Sequence, residues 1–158
     1  MGDFAAGKMI DGVQYVVASI EEFDQWIADC ENKMRDKGFE DFQPVDAPNQ
    51  ASVQSMVAGT PGELLSHLLG WSNGGFSIFE YQIHSAAQIL EDAATAEPAT
   101  VLVIGRDLDD DVLLLNIEDG QLLTNAGPIG EDLAQWLGRF RFELCSNKLE
   151  WADAWVSC

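Results

Sequence analysis

The sequence predicts an α+β domain, an antiparallel β-meander packed with about four helices. Three observations carry this expectation. The strand-like runs Val101–Ile104, Val112–Ile117 and Gln121–Thr124 are joined by turns too short for a crossover helix, so they must pair antiparallel. Helix signals stand before and after that run, without the strand–helix alternation of a doubly wound sheet. The 158 residues are 47% apolar and 22% charged, an ordinary globular balance with enough chain for one core.

Residues 1–12 are loosely patterned and are expected to be mobile. Val13–Ala18 is β-branched and aromatic and reads as a short strand. Ser19 followed by Glu22 forms a capping box, opening a helix at 19–37 that Gly38 ends. Ile20, Phe23, Trp26, Ile27, Cys30 and Met34 fall on one face of it at 100° per residue. Residues 43–59 contain Pro44 and Pro48 and no clear period, and read as a long loop. Thr60, Pro61 and Glu63 signal a second helix start, with Leu64, Leu65, Leu68, Leu69 and Trp71 on its apolar face. Asn73-Gly74-Gly75 breaks that helix, and Phe76–Tyr81 reads as a strand. Ser85 with Gln88 caps a third helix running to about Ala94. In the meander that follows, Asp107–Asp110 is an acidic turn, Asp119-Gly120 a two-residue hairpin signal, and Gly127-Pro128 the end of the sheet. A last helix from about Glu131 presents Leu133, Trp136, Leu137, Phe140 and Leu144, and 145–158 is a Trp-rich C-terminal extension of the single domain 1–158.

Charge sets the expected partner. Twenty-seven Asp and Glu against eight Lys and Arg give a net charge of −19, which repels nucleic acid and anionic membranes and attracts basic proteins. Salt adaptation and plain solubility are the competing readings of the same composition. Cys30, Cys145 and Cys158 are odd in number and widely spaced, as in a reducing cytoplasm. The absence of an 18-residue apolar run, and of basic and apolar regions at the start of the chain, agrees with a cytoplasmic location.

The motifs argue against catalysis. Gly2–Met9 has the G-x-x-x-x-G-K spacing of a phosphate-binding loop, but Met9 replaces the hydroxyl residue that holds magnesium, and no strand precedes it. Asp107, Asp109, Asp111 and Glu118 match the carboxylate spacing of a calcium loop, but Val112 stands where glycine must turn the chain, and a strand follows. His67 and His84, the only histidines, lie near no nucleophile motif. No metal, cofactor or enzymatic activity is therefore expected. Trp26, Trp71 and Trp136 are expected in the core, and Trp151 and Trp155 dock the C-terminal segment or, if exposed, anchor a partner.

The order of these features is similar to the SUKH superfamily. The apolar helix running into Asn-Gly-Gly at Leu64–Gly75, the meander with acidic turn and Asp-Gly hairpin at 102–123, and the closing helix at 131–140 all resemble it. The resemblance covers about residues 19–142; Thr60-Pro61 stands where members commonly carry Leu-Pro, and the N-terminal strand and Trp-rich tail are additions. It implies a non-enzymatic binding protein. Members include bacterial immunity proteins that neutralise a toxin, often a nuclease, and regulators. On that reading Asp107, Asp109, Asp110, Asp111, Glu118 and Asp119 contact a basic partner. An acidic DNA-mimic inhibitor and a small hydrolase built from distant residues are the alternatives, the latter signalled by a pocket joining a histidine to carboxylates.

Overall fold

The computed structural model describes residues 8–10, 13–15, 19–95 and 100–157. Its architecture is α+β. Helices α1 (Phe23–Asp36), α2 (Ala47–Val57), α3 (Leu64–Trp71), α4 (Ala86–Ala93) and α5 (Leu133–Cys145) pack with a six-stranded antiparallel meander. The meander is ordered β3 (Ser77–Ile78), β4 (Tyr81–Ile83), β5 (Val101–Arg106), β6 (Val112–Asn116), β7 (Gln121–Thr124) and β8 (Gly127–Asp132). Two small hairpins stand apart, β1 (Lys8–Ile10) with β2 (Val13–Tyr15), and β9 (Leu149–Trp151) with β10 (Trp155–Ser157).

Register explains the core. Leu102, Leu115 and Leu122 lie opposite one another across β5, β6 and β7, and all three are fully buried. Because side chains alternate, Val103, Leu114 and Leu123 share the other face, where each is only partly buried. On the helical side the stripe of α1 buries Phe23, Trp26, Cys30 and Met34 as its period requires. Trp26 stacks on Phe23 at 5.7 Å, meets Trp71 edge-on at 5.6 Å, and donates its indole N–H to the Leu137 carbonyl of α5 at 2.8 Å.

Several expectations need correction. Ser19 does meet the Glu22 amide, at 3.3 Å, but this closes a turn ahead of α1, and Ile20 is 43% exposed. Likewise the Thr60 hydroxyl accepts from the Gly62 amide, one turn before α3 begins. Of the segment expected to be patternless and mobile, Lys8–Ile10 pairs with Val13–Tyr15; the rest of 1–12, most of the phosphate-loop-like Gly2–Met9, and Val16–Ala18 lie outside the described residues. The Phe76–Tyr81 strand is a tight hairpin instead: Phe79, at φ 53°, turns the chain between β3 and β4. Four residues, 117–120, connect β6 to β7 where two were expected. The sheet also continues through Gly127-Pro128 as β8, an edge strand, where proline is tolerated.

The largest correction is at 43–59. Residues 47–57 form α2, whose first turn holds Pro48 and whose N-cap Asp46 accepts the Asn49 amide at 3.3 Å and its side-chain amide at 2.7 Å. Only Val53 and Val57 are buried, so no amphipathic stripe announced it. Asp46→Ala is expected to destabilise the protein by about 1 kcal/mol, the usual worth of an N-cap. Urea unfolding reads this, and an unchanged midpoint would mean that the cap contributes nothing.

The C-terminal segment is a hairpin with Trp151 directly opposite Trp155. Trp155 is 3% exposed, and its amide donates to the Phe79 carbonyl at 2.9 Å. Trp151 meets Phe39 at 4.8 Å. The two tryptophans therefore dock the segment onto the body, and Trp155 is no exposed anchor.

Candidate partner-binding cleft

The Asp107–Asp111 turn is built by its first residue. The Asp107 Oδ1 accepts the Asp109 and Asp111 amides at 2.8 and 2.9 Å, and the Asp107 carbonyl accepts the Asp110 amide at 3.1 Å. Asp110 takes φ 64°, a left-handed conformation that aspartate and asparagine tolerate better than most residues. Asn125, in the β7–β8 turn, donates to Asp111 at 3.3 Å. The calcium-like spacing leads into β6 from Val112, an extended strand that cannot wrap an ion. Among the described residues no group of three or more His, Cys, Asp or Glu is placed to hold a metal ion.

The six sequence-selected carboxylates divide between two places. Asp107, Asp109, Asp110 and Asp111 form the β5–β6 turn, whereas Glu118 and Asp119 lie in the β6–β7 turn at the other end of β6. Five residues of strand span roughly 17 Å, so the two turns do not face each other. Asp119 instead holds its own turn by accepting the Gln121 amide at 2.9 Å.

Beside the first turn lies an open cleft of about 330 Å³. Asp107, Leu108 and Asp110 of the turn line it with Arg106, and so do Phe39 and Asp41 after α1, Glu80 and His84 around β4, and Trp151 and Asp153 of the C-terminal hairpin. Leu108, at the tip of the turn, is 73% exposed. Among the described residues, no ion pair within 4.0 Å involves Asp41, Glu80, Asp107, Asp110, Asp153 or Arg106; the Arg106 guanidinium donates only to the Asp110 carbonyl, at 3.3 Å. By contrast the arginines of α5 are already engaged, Arg139 with Glu131 and Glu143, and Arg141 with Glu22 and Asp29. The carboxylates around the cleft are thus not neutralised by ion pairs among the described residues.

The Asn-Gly-Gly turn sets one wall. Asn73 Oδ1 accepts the Ala86 amide at the start of α4, 2.9 Å away, and Gly74, at φ 69°, passes directly against the His84–Ser85 peptide. His84 is fixed from the other side by its amide, which donates to Ile104 at 2.8 Å. Burial, and next the nearby Arg106 charge, push the His84 imidazole below its ordinary pKa, with Asp92 pulling weakly the other way. His67 stands elsewhere, packed on Phe23 at 5.7 Å.

Sequence reasoning did not select Asp41, Glu80, Asp153, Arg106 or Phe39; it named His84 only for a pocket joining a histidine to carboxylates, and Trp151 only as a docking or anchor residue. They come from segments more than a hundred residues apart, so no local spacing could have joined them.

No family model, curated protein or solved structure matches this chain. Among the described residues no helix is long and apolar enough to cross a membrane.

Proposed function

We propose that this chain is a non-enzymatic protein-binding domain that captures a basic protein through the Asp107–Asp111 turn and the adjoining cleft. The observation that carries this reading is Leu108, 73% exposed at the tip of a turn fixed by its own hydrogen bonds and surrounded by carboxylates that make no ion pair among the described residues. A turn already ordered loses little entropy on docking. An apolar tip ringed by one sign of charge suits a partner with an apolar residue set among Lys and Arg. The resemblance to SUKH proteins suggests the kind of partner, a toxin neutralised by an immunity protein, with a regulatory target as the sister possibility. A basic nuclease fits the charge, because complementary fields speed encounter and cover its phosphate-binding surface.

A DNA mimic is less well supported, since the two acidic turns lie apart and Asp29 and Glu31 of α1, with Glu22 just before it, pair with arginines. A small hydrolase is the second reading, because the cleft does join His84 to carboxylates. His84 Nδ1 is, however, 4.0 Å from Asp92, beyond hydrogen-bond range, and among the described residues no hydroxyl or thiol bonds to its ring. Loss of ester or phosphoester hydrolysis in His84→Gln would favour that reading.

Asp109→Asn with Asp110→Asn removes two charges and leaves the Asp107 scaffold in place. Captures from source-cell extract at low salt should retain a basic protein on the wild type, with binding roughly tenfold weaker on the double variant. High salt should release it. Equal recovery by both proteins, or no basic protein at all, would sink the proposal.

A further inference from the structure

His84, which lines the cleft, belongs to an incomplete pair. His84 Nδ1 and Asp92 Oδ2 are both buried and without hydrogen-bond partners, and they face each other at 4.0 Å. A buried polar atom left unpaired costs free energy, so a close pairing would be expected if the ring carried charge. His84 lines the cleft, and its Nδ1 faces Asp92 on α4. The charged groups around the ring are Arg106 from β5, Asp92 from α4, and, around the cleft, Asp41, Glu80, Asp107, Asp110 and Asp153. Burial and Arg106 keep the imidazole neutral at neutral pH, and a neutral ring has no charge with which to draw Asp92 in.

We infer that His84 couples occupancy of the cleft to proton uptake. Neutral, it leaves the carboxylates to a cationic side chain of the partner; protonated, it closes on Asp92 and adds a second positive charge beside Arg106. This inference rests on the reading of the cleft as a site for a basic partner. The sign follows directly. Uptake of one proton raises the charge beside the cleft by one unit, so a cationic occupant is held more weakly as the pH falls through the titration of His84, below its ordinary value of about 6.5. Linkage requires the reciprocal effect: a bound cation makes His84 harder to protonate.

A hexa-arginine peptide is the probe. Calorimetry should show binding to the wild type roughly three- to tenfold weaker at a pH below the His84 midpoint read by NMR than at pH 7.5, the effect of one unit charge across a wet cleft. His84→Gln should show a markedly smaller difference between the two pH values, that of the carboxylates alone. In the wild type, NMR titration of the His84 ring should shift to lower pH when the peptide is present, with His67 as the internal control; this readout needs no variant. A His84→Gln protein that keeps the wild-type pH dependence, or a His84 titration unmoved by peptide, overturns the coupling alone. Absence of peptide binding at either pH overturns the coupling and the reading of the cleft together.

Discussion

Trp26→Ala is expected to destabilise the protein by about 3–5 kcal/mol, the range for truncating a buried tryptophan. Trp26 is completely buried, and it bridges three elements: it stacks on Phe23, meets Trp71 of α3 edge-on, and packs against Phe140 of α5 at 6.5 Å. Removing the indole opens a cavity whose walls are themselves large rings, which cannot collapse into the space. It also deletes the hydrogen bond to Leu137. In a chain of this size such a loss lowers the melting temperature by about 10 °C or more. Trp26→Phe keeps most of the volume and should cost markedly less. Thermal unfolding of both variants checks this, and equal losses would mean that the hydrogen bond, not packing, dominates.

The second large effect is at Gly74. A methyl group there would lie 2.5 Å from the His84 carbonyl carbon and 2.6 Å from the Ser85 nitrogen, and the residue sits at φ 69°. Both neighbours are backbone, which cannot rotate away as a side chain would. Gly74→Ala should therefore cost about 2–5 kcal/mol, combining the left-handed backbone with a steric overlap. The effect reaches the cleft, because relieving the clash must displace His84 or the start of α4. Gly127→Ala is the contrast: its φ is 112°, but nothing lies within 4 Å of a Cβ there. Urea unfolding of the two variants should show a much larger loss at Gly74, and comparable losses would remove the claim that close approach to His84 is what requires glycine.

The parts of the fold legible in the sequence are those whose burial follows a period. Helix α1 was readable because Phe23, Trp26, Cys30 and Met34 recur on one face, and the meander because Leu113 and Leu115 alternate with less buried neighbours. Helix α2 was not, since it buries only Val53 and Val57 and otherwise shows polar residues to solvent. The β3–β4 turn was hidden because Phe79, an aromatic residue, adopts the backbone that turn signals assign to glycine or asparagine. Of the candidate site, the acidic turn was visible as a run of aspartates. Its role was only half visible, because nothing in the spacing distinguished Asp107, which builds the turn, from Asp109 and Asp110, which project from it. The rest of the cleft depends on where the C-terminal hairpin docks. That docking is decided by contacts of Trp151 and Trp155 with Phe39, Phe79 and Phe140, all distant in sequence.

General acidity and a specific acidic site make different predictions about where a cation goes. The decisive measurement is amide chemical-shift mapping during titration with the hexa-arginine peptide at pH 7.5. A specific site requires saturable shifts concentrated at Asp107–Asp111, Glu80–His84 and Asp153, with little change at Glu21, Asp24 and Asp36 of the α1 region or at Glu118 and Asp119. Shifts of similar size at all of these acidic positions, growing without saturation, would contradict it and leave the net charge of −19 as surface chemistry alone.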